Sequence, residues 1–227
     1  MRAQQLHATT PVLPPTGLNR TWYLDLNNIS KHTAWAHSFM HAWALWAGLV
    51  VMVLVVATAY FFSARYRSNP ARGVTITILT GVSALVALAL NQSVSHAAGE
   101  LRPYDSFPHA LVLVAKGTDF SFPSDHATVA GAIAAGMFVL SWRWGLLSAL
   151  FALFLGFARV YVGAHYPGDV VAGLLLGAVV ALIIEGALLG VGTRLVSMLE
   201  TTPLRYFVEA PGRRLAGAKS EELSKRL

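Results

Sequence analysis

Long apolar runs separated by short polar breaks dominate this chain. Five of them, at about 42–62, 74–94, 124–142, 144–163 and 170–191, approach the roughly 20 residues that a helix needs to cross a hydrocarbon core of about 30 Å. The third is short and rich in small residues, the fourth carries Arg159 near its end, and the fifth contains Glu185. The pattern predicts an all-α, polytopic membrane helix bundle of about five transmembrane spans. The first run follows a polar and mixed leader and is too long for a signal-peptide core, so it reads as a permanent span. Ahead of it, residues 22–40 mix Trp22, Leu24, Leu26 and Ile29 with Asn27, Asn28, Lys31 and His32. That mixture suits an amino-terminal helix lying in the membrane interface, with a solvated leader as the other reading. Residues 1–20, with Pro11, Pro14, Pro15 and Gly17, read as disordered. From about 201, Pro203, Pro211 and a charged end read as a soluble extension. The expected organisation is a leader over 1–40, a membrane domain over 41–195 and a tail over 196–227.

Composition sharpens this picture. Apolar residues make up 55% of the chain and charged residues 12%, about half the charge of an ordinary soluble domain. A soluble monomer and a disordered chain are both excluded. There is no cysteine, which removes disulfides, thiolate metal sites and cysteine nucleophiles. The net charge of +6 does not point to nucleic acid, because the basic residues lie in loops and the tail between apolar runs. They report orientation instead. Arg65, Arg67, Arg72, Arg143, Arg194, Arg205, Arg213, Arg214, Lys219, Lys225 and Arg226 fall on one side, eleven in all. The six on the other are Arg2, Arg20, Lys31, Arg102, Lys116 and Arg159. The richer side is expected to be cytoplasmic, so that 95–123 and 163–169 face outward.

The outward side also holds the chemistry. Leu101-Arg102-Pro103 closes the second run, Phe122-Pro123-Ser124-Asp125-His126 opens the third, and Ala158-Arg159 ends the fourth. His165 and Asp169 precede and open the fifth. Helix topology alone brings these segments to one face. Arg159 is a charge at the end of an apolar run, where an unpaired ion is costly. Arginine binds phosphate through a planar fork, so Arg102 and Arg159 together suit a phosphoryl group. Ser124 reads as a helix N-cap, a position whose free N–H groups favour an anion, and His126 lies in the same first turn. His165 has the chemistry of a base or nucleophile. Asp169, four residues on, is placed to accept its other ring N–H and fix the tautomer. Read singly, Arg102 is a snorkelling anchor, Ser124 a cap, and His7, His32, His37, His41 and His109 incidental. Co-occurrence at one face lifts Arg102, Ser124, His126, Arg159, His165 and Asp169 above those readings. Glu185 lies near the other end and reads as a structural hydrogen-bonding group.

These segments resemble the signature of the type 2 phosphatidic acid phosphatase superfamily. The resemblance rests on Arg102-Pro103, on Pro123-Ser124-Asp125-His126, and on Arg159 followed after five residues by His165 and after three more by Asp169. It covers about residues 91–170. Two positions depart from it. A family Lys falls where this chain has Ser95, so one phosphate contact is missing or supplied by Lys116, His96 or Asn91. Ala158 stands where the family has Ser. Pro-Ser-Asp-His and the leader Leu24-Asp25-Leu26-Asn27-Asn28-Ile29 are similar to the bacitracin-resistance branch, the undecaprenyl-diphosphate phosphatases of bacterial plasma membranes.

The resemblance implies that His165 attacks phosphorus, Asp169 orients it, and His126 protonates the leaving oxygen. Arg102, Ser124 and Arg159 hold the phosphoryl oxygens. It implies no metal or other cofactor and an isoprenoid or glycerolipid phosphate substrate. The resulting expectation is an outward-facing membrane hydrolase of a polyprenyl diphosphate, with phosphatidic acid or phosphatidylglycerol phosphate as the alternative substrate. A membrane haem protein with His126 and His165 as axial ligands, and a lipid-phosphate binder or transporter without turnover, are the rivals from other classes.

Overall fold

The computed structural model describes residues 17–208 of the 227. All of the described secondary structure is helical. Helix α1 (Gly17–His32) leads through a short 3₁₀ turn to α2 (His37–Ala42). A π-helical turn (Trp43–Ala47) then joins α2 to α3 (Gly48–Phe62). Helix α4 (Pro70–Ala98) starts where physical chemistry favours a start. Asn69 caps it by accepting from the Arg72 backbone N–H at 2.9 Å, and Pro70 takes the first helical position. It ends at Gly99, whose φ of 61° is the left-handed turn that glycine tolerates. A short α5 (Pro103–Ser106), then α6 (Asp125–Leu140), α7 (Trp142–Tyr161), α8 (Pro167–Met198) and a short α9 (Arg205–Val208) complete the order.

Four stretches are long and apolar enough to cross a membrane: Ala34–Tyr66, Pro70–Ser106, Trp142–Tyr161 and Pro167–Thr201. The remaining expected span is α6, which has 16 residues and is therefore about 24 Å long. It is the central helix, packed against α4, α7 and α8. Its small residues let the backbones close in. A Cβ on Gly131 would run into the Leu174 carbonyl, and one on Gly177 of α8 into the Thr128 carbonyl. Large apolar side chains point the other way: Leu85, Leu150, Leu153, Leu175 and Ile183 are all exposed. A bundle with small residues inside and large apolar residues outside is built for lipid, not water.

Helix α1 docks across the end of this bundle. Tyr23 is fully buried, stacked on Phe107 at 5.7 Å and edge-on to Tyr166 at 5.3 Å. Asn27 binds both backbone groups of Leu111, donating to its oxygen at 2.7 Å and accepting from its nitrogen at 3.0 Å. Leu18, Trp22 and Ile29 stay exposed on the outer face. Residues 17–20 are thus helical, contrary to the disorder expected over 1–20, because Asn19 is tied down by the Gly168 N–H at 2.8 Å. Residues 1–16 lie outside the described residues. At the opposite end, the start of the expected soluble extension also docks. Val208 is buried with Ala71, Val74 and Val196, and Arg65 donates to the Tyr206 carbonyl at 2.6 Å. Residues 209–227 lie outside the described residues.

Candidate active site

Three helix ends and one loop build the site. Arg159 lies in the last turn of α7, whose chain then turns at Gly163 with a φ of 80°. A Cβ there would meet the Leu111 carbonyl at 2.7 Å, so only glycine lets the loop after α5 pack against this turn. His165 follows, and α8 begins at once. Tyr166 is its N-cap, Pro167 its first residue, and Asp169 its capping-box carboxylate, accepting from the Tyr166 N–H at 2.8 Å. The four-residue spacing of His165 and Asp169 is therefore that of a helix start.

His165 is 2% exposed. Its Nδ1 lies 2.8 Å from the Ser121 carbonyl oxygen. A carbonyl only accepts, so Nδ1 carries the proton and Nε2 the lone pair. Nε2 in turn lies 3.2 Å from an Nη1 of Arg102 and 3.1 Å from an Nη2 of Arg159. Burial above all, helped by the two guanidinium charges and opposed by Asp169, pushes the imidazole pKa down to about 4. The ring is thus neutral near pH 7, with its free lone pair between two cations.

Asp169 is fully buried, but it is not the closest acceptor for the histidine. Its Oδ2 stands 3.4 Å from Nδ1 and accepts from the Ser121 hydroxyl at 2.5 Å. Its Oδ1 has no partner. The expected direct Nδ1–Asp169 bond is therefore replaced by the Ser121 carbonyl, with the carboxylate behind it. Ser121 was not a sequence candidate. It sits in a stretch without helix or strand periodicity, and nothing in its local pattern marks it.

Arg102 is fixed by the same loop. It donates to the Asp119 carbonyl at 3.2 Å, to the Asp119 carboxylate at 2.5 Å, and to the Ala164 carbonyl at 3.0 Å. Burial raises the Asp119 pKa, but the hydrogen bond and charge of Arg102 outweigh it and hold the carboxyl below its ordinary range. Arg159 donates to the Ala44 carbonyl at 3.1 Å, and its Nε is buried without a partner. Ala44 lies in the π-helical turn after α2, and so does Leu45, whose carbonyl is 3.0 Å from His126 Nε2. The first span thus supplies backbone oxygens to both residues, a contribution no side-chain motif announces.

The structure brings Arg102, Arg159, His165 and Asp169 into one cluster. Ser124 adjoins it, donating its N–H to the Asp169 carbonyl at 3.1 Å, and its hydroxyl is buried without a partner. His126 is held aside on Leu45 and makes no hydrogen bond to His165. A cavity of about 100 Å³ opens onto His165 and Arg102, with Ser95, His96, Asp119 and Asp125 also on its walls. The three proposed substitutes for a Lys at position 95 separate here. Asn91 is spent on the Pro123 carbonyl and the Asp125 carboxylate. Lys116 lies over the Tyr104 ring at 5.7 Å. His96 is on the cavity wall. Glu185 is buried far along α8, with Oε1 3.3 Å from the Thr80 hydroxyl, the structural contact expected of it.

Comparison with known proteins places this geometry. Undecaprenyl-diphosphatase of Sulfolobus acidocaldarius is 35% identical over 109 residues, covering 47% of this chain and 52% of that protein. The match thus spans about half the length of that relative. Undecaprenyl-diphosphatase BcrC of Bacillus subtilis is 26% identical over 167 residues, covering 73% of this chain and 82% of that protein. Among solved structures, LpxE of Aquifex aeolicus superposes with a TM-score of 0.53 at 21% identity, over 77% of this chain and 99% of that one, which shows a shared fold. Residues 76–188 match the PAP2 superfamily. Arg102, Ser124, His126, Arg159, His165 and Asp169 all fall within that stretch, and the chain belongs to the PAP2 superfamily.

Proposed function

We propose that this chain is a membrane lipid-phosphate phosphatase that hydrolyses a polyprenyl diphosphate of the undecaprenyl type to the monophosphate and inorganic phosphate. The observation that carries the reading is the neutral, buried His165, whose Nε2 lone pair sits between Arg102 and Arg159 at 3.2 and 3.1 Å. When a terminal phosphate enters, the guanidiniums exchange the ring nitrogen for phosphoryl oxygens. Nε2 forms a bond to phosphorus as the bond from phosphorus to the bridging oxygen breaks. His126, protonated when the anionic phosphate enters, exchanges the Leu45 carbonyl for that oxygen, gives it a proton and is left neutral. The imidazolium of the phosphohistidine is balanced by Asp169, and the Ser124 hydroxyl and the arginines hold the developing charge. Water then attacks phosphorus and gives a proton to the neutral His126 as the bond from phosphorus to Nε2 breaks, which releases phosphate and restores both rings.

The named relatives favour a polyprenyl diphosphate over phosphatidic acid or phosphatidylglycerol phosphate. The Lys and Arg distribution favours a site on the outer face of a bacterial plasma membrane, with α1 in the interface, its Trp22 and Ile29 toward lipid. The test is phosphate release from undecaprenyl diphosphate and phosphatidic acid, side by side in detergent with chelator, by wild type and His165→Ala. Diphosphate preference that the variant abolishes is expected. Full activity in His165→Ala would refute the mechanism, preference for phosphatidic acid would change the substrate, and no release by wild type would leave a binder.

A further inference from the structure

We propose that His96 determines substrate specificity at this site: it binds the second phosphate of a diphosphate, the one that leaves with the lipid. The inference rests on the phosphatase reading above.

Size comes first. The cavity over His165 measures about 100 Å³. A dry cavity of about 150 Å³ takes a benzene ring. The space beside His165 therefore holds one phosphoryl group and not two. With the terminal phosphate at Nε2 of His165, the other phosphate of a diphosphate must lie at the mouth.

His96 stands at that mouth. It is on the last turn of α4, exposed, and part of the same cavity wall as His165 and Arg102. Its Nδ1 lies 2.7 Å from the Gln92 carbonyl, so Nδ1 carries the proton and donates. Its ring is braced edge-on against Phe120 at 5.8 Å. Nε2 is left as the nitrogen open to a ligand. Protonated, it offers a charged N–H to a phosphate oxygen, a stronger bond than a neutral donor makes.

Charge gives the reason for specificity. The other charged groups on the wall are Arg102, already shared with the Asp119 carboxylate at 2.5 Å, and the carboxylates of Asp119 and Asp125 themselves. Asp125 accepts from Asn91 and Gln92 at 2.5 and 2.9 Å. The mouth would repel a second phosphate without His96. A monophosphate, whose single phosphate sits in the cavity, does not need it. The competing reading is a helix cap, since a histidine bonded to the carbonyl four residues back also suits a helix C-terminus.

The experiment compares kcat/KM for a polyprenyl diphosphate and the monophosphate of the same chain, using the full chain in detergent. The proteins are wild type, His96→Ala, His96→Gln and His96→Lys. Loss of one charge-assisted hydrogen bond predicts a fall of about ten- to a hundredfold for the diphosphate in His96→Ala, with a much smaller fall for the monophosphate. His96→Lys restores most of the loss and His96→Gln does not. Equal losses on both substrates, or none, would overturn the proposal and leave the cap. Binding of inorganic pyrophosphate against inorganic phosphate, read by thermal shift, tests the same contact without turnover. Wild type should prefer pyrophosphate, and His96→Ala should lose that preference. Unchanged preference in the variant would overturn the proposal even if the chain proved not to be a phosphatase.

Discussion

Replacing Asp169 by Asn separates the charge behind His165 from the geometry around it. Oδ2 of Asp169 accepts two hydrogen bonds, from Ser121 Oγ and from the Tyr166 N–H, while Oδ1 has no partner. An asparagine can therefore put its oxygen in the Oδ2 position and keep both bonds. Its NH₂ then occupies a site where the native oxygen was already unpaired. The ring is still held by the Ser121 carbonyl at 2.8 Å, so the tautomer is kept. What goes is a negative charge 3.4 Å from Nδ1. In the proposed reaction that charge matters only once His165 becomes a cationic phosphohistidine. Two unit charges at that distance attract by about 5 kcal/mol at an effective dielectric constant of about 20. Spreading of both charges brings the figure to about 3–5 kcal/mol. The expected loss in kcat is thus roughly a hundredfold to a few thousandfold, with a melting temperature close to wild type. The assay is phosphate release under saturating substrate, with rapid-quench trapping of the phosphoenzyme to locate the slowed step. A variant that keeps kcat within tenfold of wild type would refute the idea that Asp169 stabilises the charged ring. A variant that melts far lower would show the carboxylate to be mainly a cap for α8.

Four further outcomes follow from the same geometry. Activity should persist as pH falls to about 5 and drop as His165 titrates near its lowered pKa of about 4, whereas a profile falling near 6.5 would show an ordinary imidazole. The same group makes stability fall with pH: between about 6.5 and 4 the unfolded histidine takes up a proton that the folded one refuses, so this contribution is complete above 6.5 and is lost on acidification through that window, which thermal melts across pH would read. Asp119→Asn removes the carboxylate that competes with phosphate for Arg102; inorganic phosphate should bind several-fold tighter, while weaker binding would make Asp119 a positioning residue for that guanidinium. Gly177→Ala should destabilise the bundle by about 1–3 kcal/mol or more, because its methyl group would collide with the Thr128 carbonyl, and an unchanged melting temperature would mean that α6 and α8 separate easily.

Much of the fold was legible because a membrane helix must satisfy its own backbone and bury apolar surface, so its length is written in the sequence. The helix starts at Pro70 and Pro167 carry a proline in the first turn, a signal that is local in the sequence. Residues 17–20 were misread, and the packing of 206–208 on the bundle was not foreseen, because both depend on partners distant in sequence. Asn19 meets Gly168, and Tyr206 meets Arg65. A proline-bearing leader carries no local sign of such a partner.

The site divides the same way. Arg159, His165 and Asp169 could be placed because they sit at helix ends, where topology converts spacing into proximity. The groups that set their chemistry could not. The Ser121 carbonyl fixes the His165 proton, the Asp119 carboxylate occupies Arg102, and the Ala44 and Leu45 carbonyls hold Arg159 and His126. Three of these four are backbone oxygens, which every residue type has. They are presented by a loop and by a π-helical turn, which periodicity does not resolve. Side-chain type thus tells which groups can react, and the backbone around them decides which nitrogen of His165 carries the lone pair.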